Sequence, residues 1–595
     1  MRISKLGVAG VAAVAASALV VSGCSLPYES EVIEGTEITV AWNDLINDFN
    51  QNSASGNNTA NAIVLYMTSS GFNYYDSEPS LVDATDFGTY EKTSDDPLTV
   101  EYTINDGVKW SDGVDIDGAD LLLAWATIFN AVQNADGEPL FAHANPRSEL
   151  ATATPEIDGR KLTLVYDVAY VDWPTQFGLG VSAHGTVMMA YPEITDPAEA
   201  KEQLITAIQE KDVEWLTPVA EVWNTGYQSP NTPDNPLVSL SSGPYVVEEL
   251  VEDSYVTLVA NELYTWGPSP KYERITVREL ADPTAAVQAV ENGDVQIAAG
   301  QPTPDVLQLV EGLSNGDFAT GDEATYEHVD LTFNNGGPFD PATYGGDEET
   351  AKLVRQAFLS IIPRQQIVDT LIKPLNPNAE IRNSILIIPG APGYDDMVAN
   401  NGSDFYGTGD AAGVEQAKEL LAQAGVETPV EVGFWYPEGN VRRAAEFELI
   451  AQNGALAGFN VVDESEPNWE FTDPSLFPIN PHDAVIFGWQ STSLAVTGSD
   501  QYLGSGQVSN WTGFASDEVD ALLKELETEL DPERQIEIQI EVEKILWEAG
   551  YGVTIFQFPG LTWWDADVAG VDPSPLSPTY FWNFWEWEPV GATAE

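Results

Sequence analysis

Apolar residues recur along this chain at two spacings, and the spacing predicts the elements. Glu37–Trp42 and Leu98–Ile104 alternate apolar with polar positions. So do three runs within 243–280, carried by Tyr245 and Val247, Val256 and Leu258, and Ile275 and Val277. Each is expected to be a half-buried strand. Helical spacing predicts helices over Ala60–Thr68, Gly118–Asn130, Thr284–Glu291, Leu353–Ile361, Val414–Ala424 and Glu541–Glu548. Two of these end on helix-stop signals, Asn292-Gly293 and Gly425. Leu331–Asn334 reads as a strand before a Gly336-Gly337-Pro338 turn, and Val553–Phe558 as a late apolar strand. Asp48–Thr59 reads as a loop, and Pro218–Ser242, rich in Pro, Asn and Ser, as a loop at a lobe boundary. Strands and helices alternate without a short repeat, which favours α/β lobes over a solenoid or a β-sandwich.

The first 35 residues follow another pattern. Met1–Lys5 carries Arg2 and Lys5, Gly7–Val21 is an unbroken small and apolar run, and Ser22-Gly23-Cys24 closes it. A basic start, a short apolar stretch and a small-residue exit make an export signal, too short for a membrane span. Its exit resembles a bacterial lipobox, with Cys24 as the acylated first residue of the mature chain. Cys24 is also the only cysteine, so the fold uses no disulfide, and a lipidated thioether accounts for a lone thiol in an exported protein. The expected layout is a leader over 1–23 and a tether over 24–35. No further apolar run of spanning length follows Val21, so the remainder is expected to be extracytoplasmic and membrane-bound only through lipid.

Composition narrows the partners. Apolar residues make up 43% and aromatic residues 10%, enough for sizeable cores. Against 94 Asp and Glu stand 23 Lys and Arg, for a net charge of −71 spread along the chain. A surface of that sign excludes nucleic acid as a partner, because phosphate binding needs basic patches. Dense calcium sites are the functional alternative to a solvated acidic surface, but no Asp-x-Asp-x-Asn-Gly loop is present. No His-Glu-x-x-His or phosphate-loop motif appears either. With one cysteine and four histidines, a His/Cys metal site is poorly supplied, and His328 and His482 read as ordinary polar residues. No cofactor, metal or catalytic residue is therefore expected, and the chemistry points to binding.

An ordered set of motifs then resembles one family. Leu98-Thr-Val-Glu-Tyr-Thr-Ile-Asn-Asp-Gly-Val-Lys-Trp-Ser-Asp-Gly113, continued by Ile116–Ala124, is similar to the strand–turn–helix signature of the family 5 extracellular solute-binding proteins. Ser242-Gly243-Pro244-Tyr245, Leu258–Tyr264 with Asn261, and Ala285–Ile297 with Asn292-Gly293-Asp294-Val295 follow in that family's order. Phe333-Asn334, Pro338-Phe339, Val354-Arg355-Gln356-Ala357 with Pro363-Arg364-Gln365, and Ala417–Gly425 continue it. Gly113, Gly293 and Pro244 have backbone roles by default, and Arg355 is expected to pair with a carboxylate on a helix face.

The resemblance implies a type II periplasmic-binding-protein fold of class α/β, with two lobes, an interlobe cleft and an inserted subdomain. Domain I is expected to be discontinuous over 36–80, 240–320 and 557–595, with a subdomain over 81–239 and domain II over 321–556. It further implies the substrate-binding lipoprotein of an ABC importer, monomeric, whose partners are a small peptide and the permease subunits. An oligosaccharide is the alternative ligand, and a secreted glycan or peptide hydrolase the rival from another class. Aromatic and polar residues at strand ends are the site candidates: Trp42 and Asn43, Trp435, Trp489 with Ser491, and Trp511. Many peptide binders of the family follow the Gly-Trp pair with an Asp for the peptide ammonium. Here Gln490-Ser491-Thr492-Ser493 follow Gly488-Trp489, and the next acid is Asp500. Arg442-Arg443 offers a clamp for a ligand carboxylate, the plainer expectation at a helix start being a surface or structural role.

Overall fold

Ten strands, numbered here in chain order, join into one sheet across both lobes: β1 (Ile33–Trp42), β2 (Tyr245–Val251), β3 (Tyr255–Ala260), β4 (Tyr272–Glu279), β5 (Ile297–Ala299), β6 (Gly316–Leu331), β7 (Val430–Trp435), β8 (Phe459–Asp463), β9 (Ala484–Gln490) and β10 (Gly552–Asp565). Their order is β8-β7-β9-β6-β10-β5-β1-β4-β3-β2. The computed structural model describes residues 30–148, 150–300, 302–467, 471, 477–490, 495–507 and 509–591. Cys24 and Ser491 lie outside these residues, as does the leader.

Lobe I is built where β1 runs parallel to β4 and β5 while β2, β3 and β4 form an antiparallel meander. The alternation read from the sequence matches the pleat: Ile38, Val40, Val256, Leu258, Ile275 and Val277 are buried. One apolar cluster gathers these with the C-terminal Tyr580, Phe581, Phe584 and Trp587. Lobe II centres on parallel β7, β8 and β9, covered by helices Glu348–Ser360, Ala411–Ala424 and Pro532–Ala549 around a second cluster. A third cluster lies within Phe72–Trp266 and packs helix Gly118–Ile128 on an antiparallel sheet of Gly88–Asp95, Leu98–Ile104, Lys161–Val165 and Glu156–Asp158.

Two long strands cross between the lobes. β6 pairs antiparallel with β10 from Gly316↔Asp565 to Asp330↔Gly552. At one end β10 continues onto β5 of lobe I, and at the other β6 continues onto β9 of lobe II. The ladder is broken midway: Asp322 pairs with Pro559, and the next partners are Tyr326 and Gln557. Three residues of β6 therefore oppose one of β10, a bulge in which Pro559, lacking an N–H, is tolerated. The Gln557 amide holds the bulge by donating to the Glu323 carbonyl and, at 2.9 Å, to the Thr325 carbonyl.

Two expectations are corrected. Pro218 does not open a loop: it lies inside helix Val213–Thr225, whose buried face of Leu216, Val219, Ala220 and Trp223 outweighs one missing backbone hydrogen bond. Leu331–Asn334 is not a strand, because β6 ends at Leu331 and its polar half, Gly316–Glu323, has no apolar alternation to announce it. Elsewhere helix ends match their signals: Gly425 caps Ala411–Ala424 with φ 68° and Gly293, just past Pro283–Glu291, has φ 75°. Arg355 pairs with Glu348 as expected, and also donates to the carbonyls of Ala549 and Phe339 at 2.8 Å each.

Candidate functional site

A cavity of about 1320 Å³ opens between the lobes, with the bulge of the crossing strands in its floor. Chain geometry explains its place. Parallel strands end together, and the loops after them lead into helices, so clefts form at strand carboxyl ends. On the lobe I wall stand Trp42 and Asn43, at and just past the end of β1, and the starts of helices Pro283–Glu291 and Pro304–Glu311. On the lobe II wall stands the start of helix Val441–Ala457. Gly321, Glu323, Thr325, Gly488, Phe558 and Gly560 line the floor.

All three helix starts are capped from within: Asp282 accepts from Ala285 N, Thr303 from Val306 N and Asn440 from Arg443 N. The two arginines of the third helix are likewise committed. Arg442 Nη2 donates to Glu327 Oε2 at 2.9 Å and Arg443 Nε to Glu327 Oε1 at 2.6 Å. Arg442 also lies 4.4 Å from the Phe558 ring centroid, a cation–π contact. These arginines are buried and structural, so the surface role considered for them is withdrawn.

Electrostatics divides the carboxylates behind this wall. Burial alone would raise Glu327, but the Arg443 and Arg442 guanidiniums overcome it and hold Glu327 below the usual range. Its neighbour Glu446 is pushed up to about 8 by burial and by the Glu327 charge, beyond what Arg442, 3.3 Å away, offsets. In the floor, Glu323 is pushed up to about 7 by burial, offset in part by Arg442 and a hydrogen bond with Thr325. Carboxyl groups driven apart in this way also mark acid–base enzymes. Glu446, however, is fully buried and outside the cleft lining, so no substrate reaches it.

Glu446 therefore keeps its proton in the folded chain where the unfolded chain has lost it. Between about pH 4.5 and 8 the folded state binds the extra proton, so this group's contribution to stability falls as pH rises through that window. The melting temperature of the wild type should decline relative to Glu446→Gln across that range. Parallel melting curves at pH 5 and pH 8 would contradict it.

The expected site residues are brought together only in part. Trp42 and Asn43 line the cleft, with Trp42 packed edge-on to Phe581 at 5.7 Å. Alternation along β9 puts Gly488 on the cleft face and Trp489 on the other, where it meets Tyr502 at 4.7 Å and Trp511 at 5.7 Å. Trp435 was expected to offer a flat face to ligand, yet it is fully buried against Phe471 and exposes none. Sequence reasoning missed Glu323, Phe558 and the floor glycines. Glu323 was one acid among 94, without a local motif.

The four histidines are engaged elsewhere: His143 stacks on Trp223, and His184, His328 and His482 face Asp112, Asp330 and Glu464. Among the described residues no group of three or more His, Cys, Asp or Glu is placed to hold a metal ion, and no helix is long and apolar enough to cross a membrane.

Two α/β lobes, a pair of crossing strands and a cleft between them define a type II periplasmic binding protein. Solved structures share that fold over nearly the whole chain. The periplasmic EDTA-binding protein EppA superimposes with a TM-score of 0.77 at 22% identity, covering 95% of this chain and 98% of its own. The oligopeptide-binding protein AppA from Bacillus subtilis, solved with a nonapeptide, gives 0.70 at 16% identity over 93% and 99%. The chain belongs to the bacterial extracellular solute-binding proteins, family 5, whose middle-region model matches residues 78–510. Among curated relatives, an uncharacterized lipoprotein of Mycobacterium tuberculosis is 25% identical over 98% of both chains. The oligopeptide-binding protein OppA of Mycobacterium bovis is 23% identical, over 89% of this chain and 80% of its own. Members of this family are extracytoplasmic binding proteins that serve transporters.

Proposed function

We propose that this protein is the lipid-anchored substrate-binding component of an ABC importer, capturing oligopeptides in the interlobe cleft and passing them unaltered to permease subunits. The size of the cleft carries the reading: about 1320 Å³ exceeds the roughly 300–1,000 Å³ usual for single small ligands, and suits an extended one. The peptide-binding relatives point the same way. An extended peptide is held largely through its backbone, so selectivity among side chains should be broad. Anchoring at Cys24 is supported by the lipoprotein relative that matches 98% of the chain.

In this reading, domain I comprises 36–80, 240–320 and 557–595, domain II 321–556, and the inserted subdomain 81–239. The separate apolar cores support the division. The ligand lies against Trp42 and Asn43, with the Trp489 and Trp511 rings packed behind Gly488 backing the opposite end. Closure is a hinge at the crossing strands.

The test is a thermal shift that grows with peptide concentration and is absent with oligosaccharides. Trp42→Ala should weaken peptide binding about tenfold, equivalent to about 1.4 kcal/mol, and Trp489→Ala less. A shift with oligosaccharide alone would overturn the peptide reading. Unchanged affinity in both variants would remove the proposed contacts.

A further inference from the structure

The charged groups of the cleft are not equally available. Asp282 caps its helix, Asp322 accepts from Asn376 Nδ2 at 2.9 Å, and Asp305 is exposed to solvent. Arg442 and Arg443 share the buried Glu327. Glu323 is different: it is half-buried in the floor and forms no ion pair among the described residues. The bulge explains why it faces the cleft, since extra residues in one strand re-aim a side chain that the pleat would otherwise direct. Glycines leave it room. A Cβ at Gly560 would sit 3.1 Å from Glu323 Cγ, and a Cβ at Gly321 would meet nothing within 4 Å.

We propose that Glu323 is the cleft's receptor for a protonated amine, so that the preferred ligands are peptides carrying a free ammonium or guanidinium group. The inference rests on the peptide reading and adds its anchoring group. A carboxylate half-removed from water, whose nearest guanidinium, Arg442, is paired with Glu327, gains most when a ligand supplies a cation of its own, because a charge-assisted hydrogen bond is shorter and stronger than a neutral one. An anionic group brought to the same place would meet Glu323 and Asp322 with the helix starts already capped. The amine can come from the peptide N-terminus or from a lysine or arginine side chain, and both present the same chemistry to Glu323.

The test uses ligand-free full-length protein and an equimolar random pentapeptide pool in which half of each sequence is N-acetylated. Bound peptides are recovered and counted by mass spectrometry. Wild type should enrich free-amine over acetylated peptides, or Lys- and Arg-containing over Leu-containing acetylated peptides, by at least about tenfold. The first pattern identifies the N-terminus as the source and the second the side chain. Glu323→Gln should bind a comparable total of peptide with the enrichment reduced to near one, and Glu323→Asp should keep an intermediate enrichment.

Binding of peptide without either enrichment in wild type would overturn the assignment while leaving the peptide reading intact, as would full enrichment in Glu323→Gln. That wild-type result needs no variant to fold. Failure of wild type to bind any peptide in the pool would overturn the peptide reading, and this assignment with it.

Discussion

Replacing Glu327 by alanine is expected to destabilise the protein by about 3–5 kcal/mol, the usual cost of stripping a buried ion pair of one partner. Glu327 is fully buried and accepts from both Arg442 and Arg443, at 2.9 and 2.6 Å. Its loss leaves two buried guanidiniums without the carboxylate they share. The pH dependence described for Glu446 should weaken in the variant, because the Glu327 charge that adds to burial in raising Glu446 is gone and the arginines then favour its ionised form. Glu327→Leu combined with Arg442→Met and Arg443→Met should recover much of the stability, since apolar groups of similar size can replace a buried ionic cluster at little cost. Denaturant unfolding reads all three. A midpoint for Glu327→Ala equal to wild type would show that the cluster carries no net weight.

Asp172→Ala is expected to cost about 2–4 kcal/mol, because one carboxylate of the inserted subdomain serves three donors of lobe II. It accepts from Val496 N at 2.9 Å, Thr497 N at 2.8 Å and Thr497 Oγ1 at 2.6 Å. Beside it the Val171 N–H donates to the Glu527 carbonyl at 2.9 Å. Removing the carboxylate leaves two backbone N–H groups without their acceptor and loosens the tie between subdomain and lobe. Hydrogen exchange at Val496 and Thr497 should accelerate strongly in Asp172→Ala and less in Asp172→Asn, which keeps one acceptor oxygen. Unchanged exchange at both amides would show that the contact does not hold the two parts together.

Much of the fold was legible because its signals are local. Leu98–Ile104 alternates and forms the strand at those residues, and Ala411–Ala424 ends at the glycine that marks its stop. What escaped notice depends on distant partners. The polar first half of β6 becomes a strand only through pairing with β10, more than 200 residues later. Helix Val213–Thr225 tolerates Pro218 because its apolar face is buried in a core that local propensity does not reveal. The cleft lining was legible where a large side chain ends a strand, as at Trp42. It was not legible at Glu323, whose exposure to the cleft is created by a bulge, nor at Trp435, whose ring is consumed by Phe471 and the core around it.

The measurement that tests the central claim most directly is mass spectrometry of whatever the native protein releases from its cleft on mild denaturation. Peptides of several residues and mixed sequence, in near-stoichiometric amount and unchanged after prolonged incubation with the protein, are the predicted result. An oligosaccharide or a metal chelate in their place, or peptides that shorten during incubation, would contradict it.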